Sequence, residues 1–379
     1  MILTILFSGL LLILMMAYYY AEYKSVKNIQ NRVKLRIAVT GSRGKSTTVR
    51  FLCFVLKKAG YSVLGKVTGT KPLLILPSGE TEMIKRKGIV SILEQKRVLL
   101  RRAKEIEPDV LITEIMSVTP EYQMVESKRL IDPHYYIITN VKNDHIGETG
   151  PDKESILKVF INSAPENAKI MLLEEEKPLF ESSKIQNDQI IFINNKGLEG
   201  LLKKKKYQPG FDQTIRFTKQ ICDELRISHE VLQDAISDYQ FDEDVFFIKK
   251  ISENSIGVNA FSANDIDSTK EIFSQIERDY PSHKKIGIFC TRSDKPDRTK
   301  SWMNTLKEDS WNFDQLLIFG PHFFSIKRQK YPFPIQRLSE NQLSGMIEGS
   351  ENTVYFGFGN YVKSGEIIAN FWMQKGGLR

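Results

Sequence analysis

Residues 37–48 read Ile-Ala-Val-Thr-Gly-Ser-Arg-Gly-Lys-Ser-Thr-Thr, and this stretch decides the fold. An apolar segment runs into a turn with two glycines, and an amphipathic helical pattern follows. Glycines let the backbone N–H groups of such a turn face a phosphate, and the helix N-terminus adds its partial positive charge. In this pattern Lys45 reaches the β- and γ-phosphates and the Ser46 hydroxyl holds Mg²⁺. The sequence therefore predicts a nucleotide-binding site, whose expected loop residues are Gly41, Ser42, Arg43, Gly44, Lys45, Ser46 and Thr47.

This loop is a shortened form of the phosphate-binding motif. The full motif has a glycine where this chain has Val39, so only G-x-x-G-K-S remains. A Gly-Lys-Ser also occurs by chance, and the alternative is an ordinary helix N-terminus. The strand before the loop and the helix after it favour nucleotide binding.

Outward from the loop, short apolar runs alternate with helical patterns, as is typical of a mostly parallel sheet with helices on both faces. The predicted strands of this first series are Leu35–Thr40, Asp109–Thr113, Tyr135–Thr139, Ile170–Leu173 and Ile190–Ile193. Its predicted helices are Lys45–Ala59, Glu94–Ile106, Lys153–Asn162 and Thr214–Leu225. We expect an α/β nucleotide-binding domain over residues 32–241.

A second, smaller α/β series begins near Val245 and predicts a Rossmann-like C-terminal domain over residues 245–379. Its predicted strands are Val245–Lys249, Ser255–Asn259, Lys285–Cys290, Leu316–Phe319 and Thr353–Phe356. Its predicted helices are Ser268–Asp279 and Tyr361–Trp372. Asp242-Glu243-Asp244 is the expected hinge between the two series.

The first 20 residues carry no charge. A helix of about 20 apolar residues spans a bilayer, and Tyr18–Tyr20 stand where an aromatic belt is expected. A cleaved signal peptide would need a basic segment before the apolar run, and the sequence shows none. Five basic residues follow the run instead: Lys24, Lys27, Arg32, Lys34 and Arg36. This asymmetry predicts a single-pass membrane anchor over residues 1–21, with the bulk of the chain in the cytoplasm.

The composition excludes several classes of protein. With 41% hydrophobic and 26% charged residues, the 379-residue chain is neither disordered nor fibrous. Its net charge of +8 suits a membrane surface, a polyanionic product or a phosphate ligand, and no stretch interleaving arginine with aromatic residues points to nucleic acid. Three widely spaced cysteines argue against a disulfide framework and a structural zinc site.

Two further residues are candidates for chemistry because of where they follow predicted strands. Glu114 ends the apolar run Val110–Thr113, and His145 lies a few residues beyond Tyr135–Thr139. Ligands of α/β sheets bind at the carboxyl ends of the strands, so we expect both near the phosphate loop. The alternatives are a surface or helix-capping role for Glu114 and a structural role for His145.

Longer motifs stand in order over most of the soluble chain. They are GSRGKSTTVR (41–50), AGYSVLGKVTGT (59–70), KRKG (85–88), EQK (94–96), TEIMSVTPEYQ (113–123), TNVKNDHIGETGP (139–151), NAFSANDIDST (259–269), TRSDKPDRT (291–299) and FGFGN (356–360). These motifs resemble the Mur-ligase superfamily and, more closely, the ligase subunits of poly-γ-glutamate synthases, the PgsB/CapB family.

The resemblance implies an ATP-dependent amide ligase that activates a carboxylate as an acyl phosphate and extends poly-γ-glutamate. It implies catalytic roles for Lys45, Glu114 and His145. The implied Mg²⁺ ligands are Ser46, Thr68 and Glu114, together with His145 at a second Mg²⁺ beside the acyl group. The implied nucleotide contacts of the C-terminal domain are Asn264, Asp265, Arg292 and Asp294. The implied partners are glutamate, the growing polymer and membrane subunits of a synthase and export complex, with no nucleic acid.

Two departures from the family pattern keep a second hypothesis open. Gln213 stands nearest to a family asparagine that faces the adenine, and Phe247 stands where the family has an arginine. A degenerate nucleotide-binding subunit that organises membrane export would explain both. A P-loop kinase or transport ATPase is a third possibility, but it leaves Asn143-Asp144-His145 and the domain after Val245 unexplained.

Overall fold

The computed structural model describes residues 2–69, 71–86, 91–142, 150–198, 210–241, 246–263, 266–294, 296–308, 311–343, 345 and 352–375. The chain forms two compact units, Met1–Tyr239 and Gln240–Arg379. The expected hinge at 242–244 lies outside the described residues.

The first unit is built on an eight-stranded sheet in the order β4-β3-β2-β5-β1-β6-β7-β8. Its strands are β1 (Leu35–Thr40), β2 (Val63–Val67), β3 (Leu73–Ile75), β4 (Thr81–Met83), β5 (Val110–Glu114), β6 (Tyr135–Ile138), β7 (Lys169–Leu173) and β8 (Ile190–Ile193). Strand β3 pairs antiparallel with both β2 and β4, and the other neighbours pair in parallel. The predicted mostly parallel sheet is therefore present.

The five predicted strands of this unit form with ends shifted by at most one residue. The pattern did not predict β2, β3 or β4. Gly65 and Lys66 interrupt the apolar run of β2, and every residue of β4 is exposed. Local hydrophobicity therefore carries little signal for these strands.

Helices cover both faces of this sheet because its central strands alternate their side chains. Ile37 and Val39 of β1 pack on one face, whereas Ala38 packs on the other. The helices are α1 (Ile2–Arg32), α2 (Lys45–Lys58), α3 (Arg101–Ile106), α4 (Pro120–Met124), α5 (Lys153–Ser163), α6 (Lys177–Ser182), α7 (Phe211–Glu224) and α8 (His229–Asp238). A π-helical segment, Gln95–Leu100, leads into α3, and another, Val125–Ile131, continues α4.

Helix α1 is long and apolar enough to cross a membrane, and its first 20 described residues are exposed. It continues well past the end of the uncharged run, because its last three turns pack on the first unit. Val26, Ile29 and Val33 are buried in the same apolar cluster as α5. The Gln30 amide donates to the carbonyls of Arg129 and Leu130 at 2.9 and 3.0 Å.

The second unit is built on a six-stranded sheet in the order β13-β12-β11-β14-β10-β9, in which only β9 is antiparallel to its neighbour among the described strands. The strands are β9 (Phe247–Ser252), β10 (Ser255–Asn259), β11 (Lys284–Cys290), β12 (Gln315–Phe319), β13 (Ile335–Arg337) and β14 (Thr353–Gly359). The helices are α9 (Ile266–Asp279), α10 (Pro296–Thr305), α11 (Phe323–Lys327) and α12 (Glu366–Lys375).

Two predictions for this unit need correction. The strand predicted over Val245–Lys249 lies later, at Phe247–Ser252, because the alternation that pairs it with β10 extends to Ser252. The helix predicted over Tyr361–Trp372 begins only at Glu366, since Val362 and Lys363 have non-helical backbone angles and Lys363 has a φ of 65°.

Candidate active site

The phosphate loop lies between β1 and α2 and is held by the residues that follow β6. Ser42 N–H donates to the Asn140 carbonyl at 3.0 Å, and Arg43 N–H donates to Asn140 Oδ1, also at 3.0 Å. Asn140 Nδ2 donates in turn to the Arg43 carbonyl at 3.2 Å. One asparagine therefore fixes two successive residues of the loop.

Both loop glycines have backbone angles that favour glycine, but for different reasons. Gly41 has a φ of 118°, and a Cβ there would lie 2.3 Å from Thr139 Oγ1 and 2.8 Å from Thr139 N. Gly44 has a φ of 81°, and a Cβ there would meet nothing within 4 Å. At Gly41 both the backbone conformation and the lack of space oppose any side chain, whereas at Gly44 only the backbone conformation does.

We expect Gly44→Ala to lower the free energy of unfolding by about 1 kcal/mol, the usual cost of left-handed backbone in an alanine. Gly41→Ala should cost more and also weaken nucleotide binding, because Thr139 and the loop must move apart. Thermal unfolding and ADP titration of the two full-length variants measure this difference. Equal effects of the two substitutions would contradict the close packing of Gly41 on Thr139.

Lys45, Ser46 and Glu114 meet at the carboxyl edge of the sheet, where the sequence placed them. Lys45 Nζ donates to the Gly41 carbonyl at 2.7 Å. Ser46 Oγ donates to Glu114 Oε2 at 2.8 Å, and Thr68 N–H donates to the same carboxylate oxygen at 2.9 Å. Glu114 is only 4% exposed, so its carboxylate is fixed between the loop and the segment after β2.

The donor atoms here suit a small, hard cation. A serine hydroxyl beside a carboxylate is the oxygen set from which Mg²⁺ takes one or two protein ligands, with phosphates and water supplying the rest. Within the described residues, no cluster of three or more His, Cys, Asp or Glu side chains could enclose a metal ion by itself. Ser46 and Glu114 therefore fit a metal that a bound nucleotide would share.

A buried ion cluster lies directly behind Glu114. Lys66 is fully buried, and its Nζ lies 2.9 Å from Glu94 Oε1. Arg86 also binds Glu94, through Nε at 2.7 Å, and donates to the Thr68 carbonyl at 3.3 Å. Burial lowers the pKa of Lys66, and hydrogen bonding to Glu94 opposes part of that shift. The cluster thus anchors the backbone of Thr68, which itself binds Glu114.

We expect Glu94→Gln to destabilise the protein strongly, because it leaves the Lys66 ammonium buried without its carboxylate. Asp223→Asn is the matched control, since it removes an exposed pair with Lys219 that contributes about 0.3–0.5 kcal/mol. Adding Lys66→Met to Glu94→Gln should recover part of the loss. Unfolding curves of the parent protein and the three variants test this, and equal losses for Glu94→Gln and Asp223→Asn would show that the buried Lys66 ammonium does not depend on the Glu94 carboxylate.

In the second unit, Arg292 and Asp294 bind each other. Arg292 Nε and a terminal guanidinium nitrogen donate to the two Asp294 oxygens at 2.9 and 2.5 Å. Arg298 donates to Asn360 Oδ1 at 3.3 Å. Asn360 is buried and its amide donates to the Cys290 carbonyl, so the loop after β11 is tied to the end of β14.

Several predicted site residues fall outside the described residues, namely His145, Asn264 and Asp265. The two positions that depart from the family pattern both lie within the described residues. Gln213 Oε1 accepts from Asn140 Nδ2 at 3.1 Å, which places this amide beside the phosphate loop. Phe247 is buried against Trp372, with ring centroids 6.5 Å apart, so it belongs to the core of its unit.

Comparison with known proteins decides the family. The model of the Mur ligase middle domain matches residues 39–229, half of the chain. This chain belongs to the Mur ligase family. A second model, the poly-gamma-glutamate synthase CapB C-terminal domain, matches residues 245–375. The family predicted from the motifs is confirmed, and with it the class of enzyme, an ATP-dependent amide ligase.

Two curated proteins are similar to this Mur ligase over most of its length. It is 29% identical to "PGA synthase CapB" of Bacillus subtilis (strain 168) over 286 residues, 73% of this chain and 72% of that protein. It is 28% identical to "Capsule biosynthesis protein CapB" of Bacillus anthracis over 303 residues, 78% of this chain and 65% of that protein.

Solved structures share the fold at low identity. MurF ligase from Thermotoga maritima in complex with ADP has a TM-score of 0.65 and 15% identity, covering 93% of this chain and 83% of its own. A bifunctional folylpolyglutamate synthase/dihydrofolate synthase from Yersinia pestis, complexed with AMPPNP and Mn ion, has a TM-score of 0.65 and 14% identity, covering 92% of both chains. The predicted Mur-ligase-like fold is confirmed.

Two residues that support this Mur ligase site from behind were not predicted from the motifs. Asn140 and Lys66 both stand within motifs that carried the family resemblance, but no role followed from the pattern. A lysine inside the otherwise apolar strand β2 was the available signal, because a buried charge requires a partner.

Proposed function

We propose that this enzyme joins glutamate into poly-γ-glutamate at the cytoplasmic face of the membrane, through an acyl phosphate formed from ATP. The observation that carries the proposal is the contact of Ser46 Oγ with Glu114 Oε2 at 2.8 Å beside the phosphate loop. The match of residues 245–375 to the CapB C-terminal domain supports glutamate as the monomer. The names of the two CapB relatives point the same way.

The chemistry requires two displacements. A glutamate carboxylate oxygen bonds to the γ-phosphorus of ATP as the bond to ADP breaks. The amine of the second substrate then bonds to the acyl carbon, phosphate leaves, and the amine loses a proton. Lys45 supplies positive charge beside the transferred phosphate, while the loop N–H groups hold the nucleotide in place.

The residues at this edge also fit Mg²⁺. Ser46 and Glu114 would hold it, with Thr68 as a further proposed ligand, and the ion would neutralise charge on the phosphates. His145 is proposed to hold a second Mg²⁺ beside the acyl group. Asn264, Asp265, Arg292 and Asp294 are proposed to contact the nucleotide from the C-terminal domain. We also propose three domains with the limits expected from the sequence: a membrane anchor over residues 1–21, an ATP-binding domain over 32–241 and a C-terminal domain over 245–379.

The proposed location of the enzyme at the membrane rests on α1. Its exposed apolar residues and the basic residues after them support a single-pass anchor with the catalytic units in the cytoplasm. We infer that membrane subunits of a synthase and export complex receive the polymer. A charge of +8 suits an anionic product.

The test is ADP release by the purified full-length protein in lipid with ATP, Mg²⁺ and one amino acid at a time. Glutamate should stimulate ADP release and yield a product whose new bond involves the γ-carboxyl. Stimulation by another amino acid alone would overturn glutamate as the monomer. Nucleotide binding without any substrate-dependent turnover would favour the organising subunit that Gln213 and Phe247 suggested.

A further inference from the structure

An exposed apolar patch lies on the first unit. Outside α1, the described residues expose six large apolar side chains, and four of them belong to two short stretches of chain. We call these four the apolar patch: Leu93 (39% exposed), Tyr122 (59%), Met124 (38%) and Val125 (37%). The remaining two, Met83 and Phe324, belong to neither stretch.

A buried hydrogen bond joins the two stretches. Gln95 Nε2 donates to Glu126 Oε1 at 2.6 Å, and both residues are fully buried. Leu93 stands two residues before Gln95, and Val125 directly precedes Glu126. The exposed side chains therefore lie on either side of this hydrogen bond, where the two π-helical segments begin.

The patch lies at the end of the unit from which the apolar part of α1 projects. Glu22 pairs with Lys96 near the patch, whereas Arg32 pairs with Glu107 at 2.7 Å, beyond the end of α3. Helix α1 therefore runs alongside residues 96–107 in the same direction. Glu22 follows Tyr20, the last residue of the apolar run, by two residues, about 3 Å along a helix axis. This end of the apolar run therefore lies level with the patch.

The catalytic edge of the sheet lies at this same end. The Gln95 amide donates to the Glu114 carbonyl at the carboxyl end of β5, at 3.2 Å. The amino end of β5 lies beside the other end of α1, where Lys34 pairs with Asp109 at 2.8 Å. The carboxyl ends of β5 and its parallel neighbours therefore lie at the end of the unit from which the apolar run of α1 projects.

We propose that the apolar patch rests on the bilayer surface, so that the edge carrying Glu114 and the phosphate loop faces the lipid. This inference rests on the proposed membrane anchoring. Tyrosine prefers the interface, where its ring is in apolar surroundings and its hydroxyl is hydrated. The exposed bases Lys24 and Arg97 beside the patch suit anionic headgroups.

Hydrogen bonds between the end of α1 and the rest of the first unit fix the orientation of this unit relative to the membrane-spanning part of the helix. Arg36 is buried and donates to the carbonyls of Gln30, in the last turn of α1, and Val33, directly after the helix. It also donates to the carbonyls of Ile131 and Asp132, at the end of the segment behind the patch. The anchor is thus a rigid support, not a flexible tether. The polymer would then be made directly at the membrane surface.

Fluorescence quenching by lipids tests the orientation. Cys53, Cys222 and Cys290 are buried, so one introduced surface cysteine can be labelled selectively. The full-length variants Leu93→Cys and Val125→Cys, carrying an environment-sensitive fluorophore, are placed in nanodiscs of phosphatidylcholine and phosphatidylglycerol with nitroxide-labelled lipid. Lys104→Cys is the matched control, since this exposed residue lies 11 positions further along the same helix, roughly 16 Å away. Tyr19→Cys is the reference inside the span.

We expect labels at 93 and 125 to be quenched several-fold more than the label at 104, approaching the label at 19. Tyr122→Cys repeats the test if either patch variant fails to fold. Quenching at 19 with no excess at 93, 122 or 125 over 104 would overturn this orientation while leaving the anchor intact. A label at 19 without quenching would instead refute the anchor, and this inference with it.

Discussion

Lys45→Ala is expected to lower the rate of ATP-dependent ligation by about 100-fold or more, the usual effect of removing one preorganised charge contact. Lys45 is partly exposed and its amine donates to the Gly41 carbonyl, so alanine removes little packing. The phosphate charge would lose its compensation while the fold is kept. Initial rates of ADP release at saturating ATP measure the effect.

Lys58→Ala is the matched control at the other end of α2. Its amine contacts Asp238 at the surface, so we expect near-normal activity. Both variants should retain the thermal unfolding midpoint of the parent within a few degrees. If Lys45→Ala ligates at the parent rate, the phosphate-loop assignment is wrong.

Glu114→Gln is expected to raise the Mg²⁺ concentration that turnover requires by up to about 100-fold. The amide has nearly the same shape, so the contacts from Ser46 Oγ and Thr68 N–H keep an acceptor oxygen. Only the negative charge is lost. Titration of Mg²⁺ in the ADP-release assay should show a raised requirement, together with weaker binding of the metal–nucleotide complex.

His145→Ala is the informative comparison for that variant. If His145 holds a second Mg²⁺ beside the acyl group, its loss should impair amide formation more than nucleotide binding, whereas Glu114→Gln impairs both. Nucleotide binding and glutamate-dependent phosphate release are therefore measured side by side. Full amide formation by His145→Ala would exclude the metal role of that residue.

The alternating strands of the first unit could be predicted because their signal is local. Each of β1, β5 and β6 is a short apolar run bounded by turn residues, and each forms where the pattern placed it. The meeting of Ser46 with Glu114 was also predictable, since both follow parallel strands whose carboxyl ends share one edge.

The ion cluster could not be predicted because its members are far apart in the chain. Lys66 interrupts an apolar run, and its partner Glu94 is 28 residues away on another element, with Arg86 between them. Sequence spacing shows no such pairing. By contrast, the docking of α1 left a readable signal, since Val26, Ile29 and Val33 recur at helical spacing and are buried.

The most direct test of the central claim follows an oxygen atom. Glutamate labelled with ¹⁸O in its γ-carboxyl is supplied with ATP to the full-length enzyme in lipid, and the phosphate released is analysed by mass. An acyl phosphate carries one carboxyl oxygen to the departing phosphate, so we predict one ¹⁸O in each phosphate released per bond formed. Unlabelled phosphate, or release of AMP and pyrophosphate, would contradict the account.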